Sequence, residues 1–227
     1  MVRVIADVRA HSMRTVDGQT FSSLFDRGGS LAIDGISFDC CIFENCAFSL
    51  TKSLAKRSTV KNCQFLKCAV NGCDIGPAIL DQVSITDLST NALFIVWGAV
   101  FNKVKLSGSI GKLKINQAVH HVDRSPETQR PFDDFRESFY ESVDWALDIR
   151  DARFKEFDVR GIPAAKIIRD PESQVVITRE KAMRGDWRKG ISKANTLWPF
   201  VINLFLADGD KDTVLVAPLG AARAKRN

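Results

Sequence analysis

Three features are missing from this sequence of 227 residues, and each absence excludes a class of protein. There is no uninterrupted apolar stretch of the roughly 18 residues that a transmembrane helix needs. The first residues, Met1 to Asp7, lack the apolar core of a secretory signal peptide, so we expect a cytoplasmic protein. The sequence also lacks GxSxG, HExxH, P-loop and strand-linked GxGxxG motifs, which favours a non-catalytic protein without a cofactor.

The composition is that of a chain that can bury a core. Apolar residues make up 45% of it and the mean hydropathy is −0.07, values that disorder does not produce. The net charge of +5 is too modest to predict nucleic-acid binding. The charge is uneven, however, because residues 123–158 are locally acidic and the last fifty are basic. Such a division indicates contacts with partners, although a solvated surface is the alternative.

Large apolar residues recur at every fifth position of the first half. They are Ile33, Phe38, Phe43 and Phe48 and, after a connection that is two residues too long, Val60, Phe65, Val70, Ile75, Leu80 and Ile85. A second column lies two residues earlier and reads Cys41, Cys46, Cys63, Cys68, Cys73, Ala78, Val83 and Leu88. A period of five fits neither a helix nor a long strand, but it fits a chain that turns a corner once per unit. Four units would make a coil of about 20 residues, and coils would stack at about 4.8 Å with both columns facing inward.

Five of the six cysteines occupy one slot of this repeat. We therefore predict buried, reduced thiols, since zinc ligands usually come as CxxC pairs, and we expect Cys40 to be the exposed one. Corner positions should hold small or turn-forming residues. The residues that meet this demand are Asn45, Asn62, Asn71-Gly72, Asp81, Asp87 and Ser107-Gly108.

The run from Cys41-Ile42-Phe43-Glu44-Asn45 through Val83-Ser84-Ile85-Thr86-Asp87 resembles the pentapeptide-repeat family. The resemblance implies a mainly β protein, a right-handed quadrilateral β-helix. Cysteine replaces the alanine that is usual in the small column, and Phe, Val or Ile replaces much of the leucine in the large one. Both changes keep an apolar side chain inward, so the predicted core includes Phe43, Phe48, Phe65 and Ile75 together with Cys41, Cys46, Cys63, Cys68 and Cys73.

The pattern divides the chain into five segments. We predict an N-terminal cap at 1–30, the repeat β-helix at 31–115, a helical insertion at 116–146, a further repeat coil at 147–168 and an α+β C-terminal cap with a basic tail at 169–227. The further coil would turn Leu147, Ile149, Ala152, Phe154, Phe157 and Val159 inward. In the insertion, Ser125-Pro126-Glu127 is typical of a helix start. An apolar stripe of Phe132, Phe135, Phe139 and Val143 would then lie opposite an acidic stripe of Asp134, Glu137, Glu141 and Asp144.

The C-terminal segment shows no repeat. We predict strands over Gln174 to Arg179, Trp198 to Leu206 and Thr213 to Ala217, the last two joined in a hairpin by the aspartate-rich stretch 208–212. That stretch resembles the start of a calcium loop but lacks its glycine and its final glutamate, so we expect a polar turn. The adjacent His120 and His121 have no further ligand nearby in sequence and are interpreted as loop residues. We therefore predict no metal site.

Members of the pentapeptide-repeat family include DNA-mimicking inhibitors of DNA gyrase and immunity proteins that neutralise bacterial toxins. The mimics are elongated acidic rods, whereas this chain is net basic and interrupted. The resemblance therefore favours an immunity protein with a basic toxin as partner, such as a type VI-secreted nuclease, and neither direct nucleic-acid binding nor membrane contact. The acidic stripe is the predicted binding surface. A generic scaffold, a DNA-mimic inhibitor and an enzyme remain the alternatives.

Overall fold

The computed structural model describes residues 13–119, 123, 125–190 and 198–216. The fold is mainly β, with many parallel strands and few helices. Its strands are β1 (Arg14–Asp17), β2 (Thr20–Ser22), β3 (Ala32–Asp34), β4 (Ile36–Asp39), β5 (Ile42–Glu44), β6 (Ala47–Phe48), β7 (Thr59–Lys61), β8 (Gln64–Leu66), β9 (Ala69–Asn71), β10 (Asp74–Ile75), β11 (Ile79–Asp81), β12 (Ser84–Thr86), β13 (Ser89–Thr90), β14 (Phe94–Trp97), β15 (Val100–Asn102), β16 (Val104–Asn116), β17 (Leu147–Asp148), β18 (Ala152–Val159), β19 (Ile167–Ile168), β20 (Gln174–Thr178) and β21 (Asp212–Val216). The helices are α1 (Pro126–Ser142), α2 (Arg179–Arg184), α3 (Trp187–Gly190) and α4 (Trp198–Asp208), with short 3-10 turns at Leu54–Lys56 and Ala164–Lys166.

In the repeat region, consecutive strands do not pair with each other. From β3 to β12, each strand pairs in parallel with the strand four places later in the chain. The result is a sheet of four strands in the order β15-β11-β7-β3, a second in the order β13-β9-β5-β2, and an eleven-stranded sheet that carries the remaining parallel strands. Because three strands lie between each pair of neighbours in the chain, the chain returns to the same sheet with every fourth strand, once per coil.

The apolar columns predicted from the sequence stand in register across the parallel strands. Val60 pairs with Leu80, and Phe65 lies between Phe38 and Ile85 in three adjacent strands. The rings of Phe38 and Phe65 stack with their centroids 5.0 Å apart. These side chains line one continuous core, in which the small and large columns both take part.

The backbone turns at intervals of five residues, where it adopts a left-handed conformation with positive φ. Asn45, Asn62 and Asp87 take this conformation, as the sequence predicts. The prediction for Asp81 is wrong, because its neighbour Gln82 is the left-handed residue. Residues with positive φ occur at positions 35, 40, 45, 62, 67, 72, 82, 87, 98, 103 and 108. Several of them are residue types that do not favour turns, such as lysine and glutamine. Lysine and glutamine side chains reach solvent from such corners, so position in the repeat outweighs turn propensity there.

The cysteines fill the small inward position of the repeat and make polar contacts that alanine could not make. Cys41, Cys63 and Cys68 are buried, Cys46 and Cys73 are half-buried, and all are reduced thiols. Each Sγ lies near two backbone carbonyl oxygens, one two residues earlier and one in the preceding coil. A thiol is a weak donor, so these contacts satisfy its hydrogen while the sulfur fills the slot.

The segment predicted as an N-terminal cap contains two strands in its described part. Strands β1 and β2 extend the parallel sheets, because Val16 pairs with Phe38 and Phe21 with Phe43. The rings of Phe21 and Phe43 stack at 5.2 Å. Two apolar residues are too few to reveal a five-residue period, so the sequence did not indicate this coil. Residues 1–12 lie outside the described part of the chain.

The long connection between β6 and β7 is held by one buried carboxylate. Asp26 accepts hydrogen bonds from the backbone N–H of Gly29 at 2.7 Å, from that of Ser49 at 2.9 Å and from the hydroxyl of Ser58. Since Ser49 and Ser58 lie at the two ends of the connection, Asp26 fixes both of them. The chain then re-enters its sheet with Val60 beside Ile33, in the expected register.

The sequence places the end of the repeat near residue 115, and there the structure has one long strand, β16, which ends at Asn116. Its first residues pair with β12 and β17, and its remainder pairs with β14 and β18. Gly111 lets β16 pass close to Thr90 of β13, because a Cβ at this position would lie 2.3 Å from the hydroxyl oxygen of Thr90. Strands β17 and β18 lie within residues 147–168, where the sequence predicts a further coil, and they extend the parallel arrangement past the insertion.

The C-terminal segment mixes an antiparallel strand pair, β20 and β21, with α2, α3 and α4. The predicted strand over Trp198 to Leu206 is wrong, because these residues form α4, and β21 pairs with β20 instead of joining α4 in a hairpin. Ile202 and Phe205 are the buried residues of α4, and their spacing of three is helical. A run that is apolar on nearly every side hides that periodicity. Among the described helices, none is both long and apolar enough to cross a bilayer.

Candidate protein-binding surface

Helix α1 interrupts the parallel strands between β16 and β17. Pro126 is its first residue, where the missing N–H costs nothing, and the carbonyl of Ser125 accepts from the N–H of Thr128 at 3.1 Å. Phe132 is buried, as is Val143 directly after the helix, while the other two residues of the predicted apolar stripe are partly buried. The insertion is therefore a helix that packs against the coil through the predicted side.

Tyr140 is the anchoring residue that the sequence did not indicate. It is buried, and its hydroxyl oxygen accepts a hydrogen bond of 3.3 Å from the backbone N–H of Phe101. Phe101 lies in β15, the last strand of its four-stranded sheet, so the helix supplies the acceptor that a further strand would otherwise provide. Burial raises the pKa of the Tyr140 hydroxyl far above its usual value. A lone polar aromatic beside an apolar stripe gives no sequence signal for this role.

The helix region also contacts the long connection between β6 and β7. The guanidinium of Arg57 lies over the ring of Phe135, 3.9 Å from its centroid, and burial lowers the pKa of Arg57. Lys52 Nζ lies 2.7 Å from a carboxylate oxygen of Asp123, which precedes the helix. The two interruptions of the repeat are thus brought together, although they are far apart in sequence.

The opposite side of α1 presents three exposed carboxylates. Asp134, Glu137 and Glu141 follow the i, i+3, i+7 spacing of one helix face, which we call the acidic face. Over the described residues, none of the three has an ion-pair partner. Asp144 is a correction: it lies beyond the end of the helix, is 85% exposed and stands 3.8 Å from Lys103 Nζ.

Carboxylates on the coil surface are arranged differently. At several places a lysine of a strand forms an ion pair with a carboxylate at least twenty residues later in the chain. The N–O distances are 3.4 Å for Lys61–Asp81, 2.9 Å for Lys105–Asp151, 3.6 Å for Lys112–Glu156 and 3.0 Å for Lys114–Asp158. Their negative charge is largely neutralised locally. The acidic face therefore keeps a negative electrostatic potential, whereas the paired carboxylates of the coil are largely offset by lysine.

Asp17, Asp39 and Cys40 are the potential metal-binding group found in the described part of the chain, with ligand atoms within 4.8 Å of one another. Cys40 is exposed, as predicted, because it lies at a left-handed corner. A hydrogen bond with Asp39 raises the pKa of its thiol. Exposed acidic groups often lie this close together without an ion. We therefore assign no metal here.

The aspartate-rich stretch 208–212 connects α4 to β21 and is not a hairpin turn. Asp208 accepts from the guanidinium of Arg160, and Asp212 Oδ1 accepts from the backbone N–H of Ala164 at 2.8 Å. These carboxylates serve different partners instead of converging on one cation. His11, His120, His121 and the basic tail fall outside the residues that the structure describes.

No family model matches the chain, and no curated protein matches it.

Proposed function

We propose that the parallel region is a right-handed quadrilateral β-helix of the pentapeptide-repeat kind. Two observations support this fold. Each strand from β3 to β12 pairs with the strand four places later, and left-handed corners recur at five-residue intervals. A chain that makes four corners before it returns to the same sheet has four sides.

We further propose that the protein is a non-catalytic binder of a basic protein. The observation that carries this proposal is the acidic face, on which Asp134, Glu137 and Glu141 are exposed and unpaired within the described structure. Tyr140 and Phe132 hold the helix against the coil, so the face is presented on a rigid support. A fixed set of like charges favours rapid association with a surface of opposite charge and selects its orientation.

Among binders, a cytoplasmic immunity protein for a bacterial toxin agrees best with these features. It would cover the active site of a basic toxin, such as a type VI-secreted nuclease, by steric occlusion and charge complementarity. An inhibitor that imitates DNA along its whole length is less well supported, because Asp81, Asp151 and Glu156 on the coil are paired with lysines. A general scaffold is the alternative that the same surface leaves open.

The test is binding to candidate toxins that are co-expressed with the chain. The charge-reversal variant D134K/E137K/E141K is compared with the control E44K/D74K/E172K, which reverses three exposed carboxylates elsewhere. We expect the wild-type protein and the control to form a stoichiometric complex that weakens with added salt, and the first variant to bind at least tenfold more weakly.

Equal loss in both variants would show a nonspecific effect of charge and would contradict the proposed face. Unchanged binding by D134K/E137K/E141K would remove the acidic face from the interaction. Turnover of a substrate by the purified chain would contradict the non-catalytic assignment.

A further inference from the structure

One buried guanidinium joins the C-terminal segment to the end of strand β18. Arg160, at the end of β18, has a side chain only 2% exposed. Its Nη1 lies 2.7 Å from Asp158 and its Nε lies 3.0 Å from Asp208, which ends α4. A third carboxylate, Asp210, lies 3.9 Å from the same Nε. Arg160 therefore holds the connection between α4 and β21 against the coil.

Asp210 differs from the other two carboxylates in this cluster. Its side chain is 10% exposed, against 20% for Asp158 and 40% for Asp208. Its Oδ2 has no hydrogen-bond partner, and neither does Nη2 of Arg160; these two are the unsatisfied buried side-chain atoms of the described structure. Asp210, the most buried carboxylate of the cluster, is thus the one whose Oδ2 lies too far from Arg160 for a hydrogen bond.

The charges of the cluster do not balance when Asp210 is ionised. Arg160 and Lys114 contribute two positive charges, since Lys114 pairs with Asp158 at 3.0 Å. Arg136, whose charge also acts on Asp210, is already paired with Asp133 at 2.7 Å. Asp158, Asp208 and Asp210 contribute three negative ones. A surplus charge in a poorly solvated place is unfavourable, and proton uptake by the least bonded carboxylate removes it.

We propose that Asp210 is a proton-operated latch, which docks the α4–β21 connection on Arg160 when its carboxyl group is protonated and loosens it when the group ionises. The proposal goes beyond the binding function and does not depend on it. It implies that the C-terminal segment opens more readily at neutral than at mildly acidic pH.

The groups that face Asp210 agree with this direction. Burial is the main cause that raises its pKa, to about 6, and the negative charge of Asp208 adds to the rise. Arg160, directly after β18, Arg136 of α1 and a hydrogen bond with the backbone of Gly161 oppose this rise but do not overcome it. The ordinary value is 3.8, so between pH 4 and 6 the docked form holds a proton that the opened form releases. Docking therefore weakens as pH rises through this window and stays weak above it.

The test is hydrogen–deuterium exchange of β20 and β21 in the full chain at pH 5 and pH 7.5, corrected for the intrinsic chemical rate. Linkage between pKa values of 3.8 and about 6 predicts an opening constant about tenfold larger at pH 7.5. Asp210→Asn, which resembles the protonated acid, should be protected equally at both pH values. Glu172→Gln, an exposed carboxylate of the same segment, should keep the tenfold ratio.

A ratio near one in the wild-type protein would overturn the latch, as would a tenfold ratio that persists in Asp210→Asn. If that variant does not fold, the pKa of the Asp210 carboxyl group is measured instead by NMR titration of the wild-type protein. A midpoint near 6 supports the latch, and a midpoint near 3.8 refutes it.

Discussion

The backbone N–H of Phe101, in the last strand of its sheet, donates a hydrogen bond of 3.3 Å to the hydroxyl oxygen of Tyr140 on helix α1. Both residues are buried, with 4% and 3% of their surfaces exposed. A helix side chain thus completes the hydrogen bonding of a strand edge, which would otherwise be left unsatisfied inside the protein.

Replacing Tyr140 by phenylalanine removes only the hydroxyl group and should therefore destabilise the protein. The variant keeps the ring but leaves the N–H of Phe101 unpaired, which costs about 1–3 kcal/mol in the free energy of unfolding. Urea denaturation measures this loss, and Ser138→Ala, at an exposed position of the same helix, should change the stability by less than about 0.5 kcal/mol. Equal stability of the two variants would contradict the role of the hydroxyl.

Asp26 should be the most sensitive position in the first coils. Asp26→Ala leaves the N–H groups of Gly29 and Ser49 and the hydroxyl of Ser58 without their acceptor. Loss of a buried carboxylate with several donors costs about 3 kcal/mol or more. The exposed Asp74 provides the matched control, because Asp74→Ala removes a carboxylate that accepts no described hydrogen bond. A loss of less than about 1 kcal/mol in the Asp26 variant would show that water replaces the carboxylate.

The contact between Arg57 and Phe135 should give a measurable coupling. A double-mutant cycle of Arg57→Met and Phe135→Leu isolates the cation–π term, which we expect to be about 0.5–2 kcal/mol for a partly buried pair at 3.9 Å. The same cycle with Arg153→Met, at an exposed position of β18, should give no coupling. Additive effects of Arg57→Met and Phe135→Leu would show that the connection and the helix do not support each other.

Cys40 should be the one fast-reacting thiol of the six in the folded protein. A disulfide reagent should modify it first, and all six should react only in denaturant, because the remaining five are buried or half-buried. The hydrogen bond with Asp39 raises the pKa of Cys40, so Asp39→Asn should increase the rate at pH 8 by about two- to fivefold. Glu44→Gln is the control, and a rate unaffected by Asp39→Asn would show that this carboxylate does not govern the thiol.

The repeat made the register of the parallel strands predictable, because a fixed spacing places Phe38, Phe65 and Ile85 in one column. The helical insertion was predictable for a similar reason, since Phe132 and Asp134 belong to opposed stripes of helical period. Tyr140 was not, because its partner is a backbone group that no sequence pattern marks.

Contacts between distant segments explain most of the remaining misses. The pairing of Lys52 with Asp123 and the placement of Arg160 among three carboxylates depend on how separate segments meet in space. Helix α4 was missed for a local reason, because Phe200 and Leu204 leave its exposed face apolar and remove the contrast that reveals a helix. The sequence of such a helix does not indicate which of its faces packs against the core.

The long connection between β6 and β7 carries surplus chain outside the stack, because Val60 still lies beside Ile33 after it. An added length at this place neither rotates nor shifts the coils that follow. The part of the connection near Lys52 is therefore suited to the insertion of a foreign epitope, provided that Asp26 keeps its hydrogen bonds with Ser49 and Ser58 at the two ends.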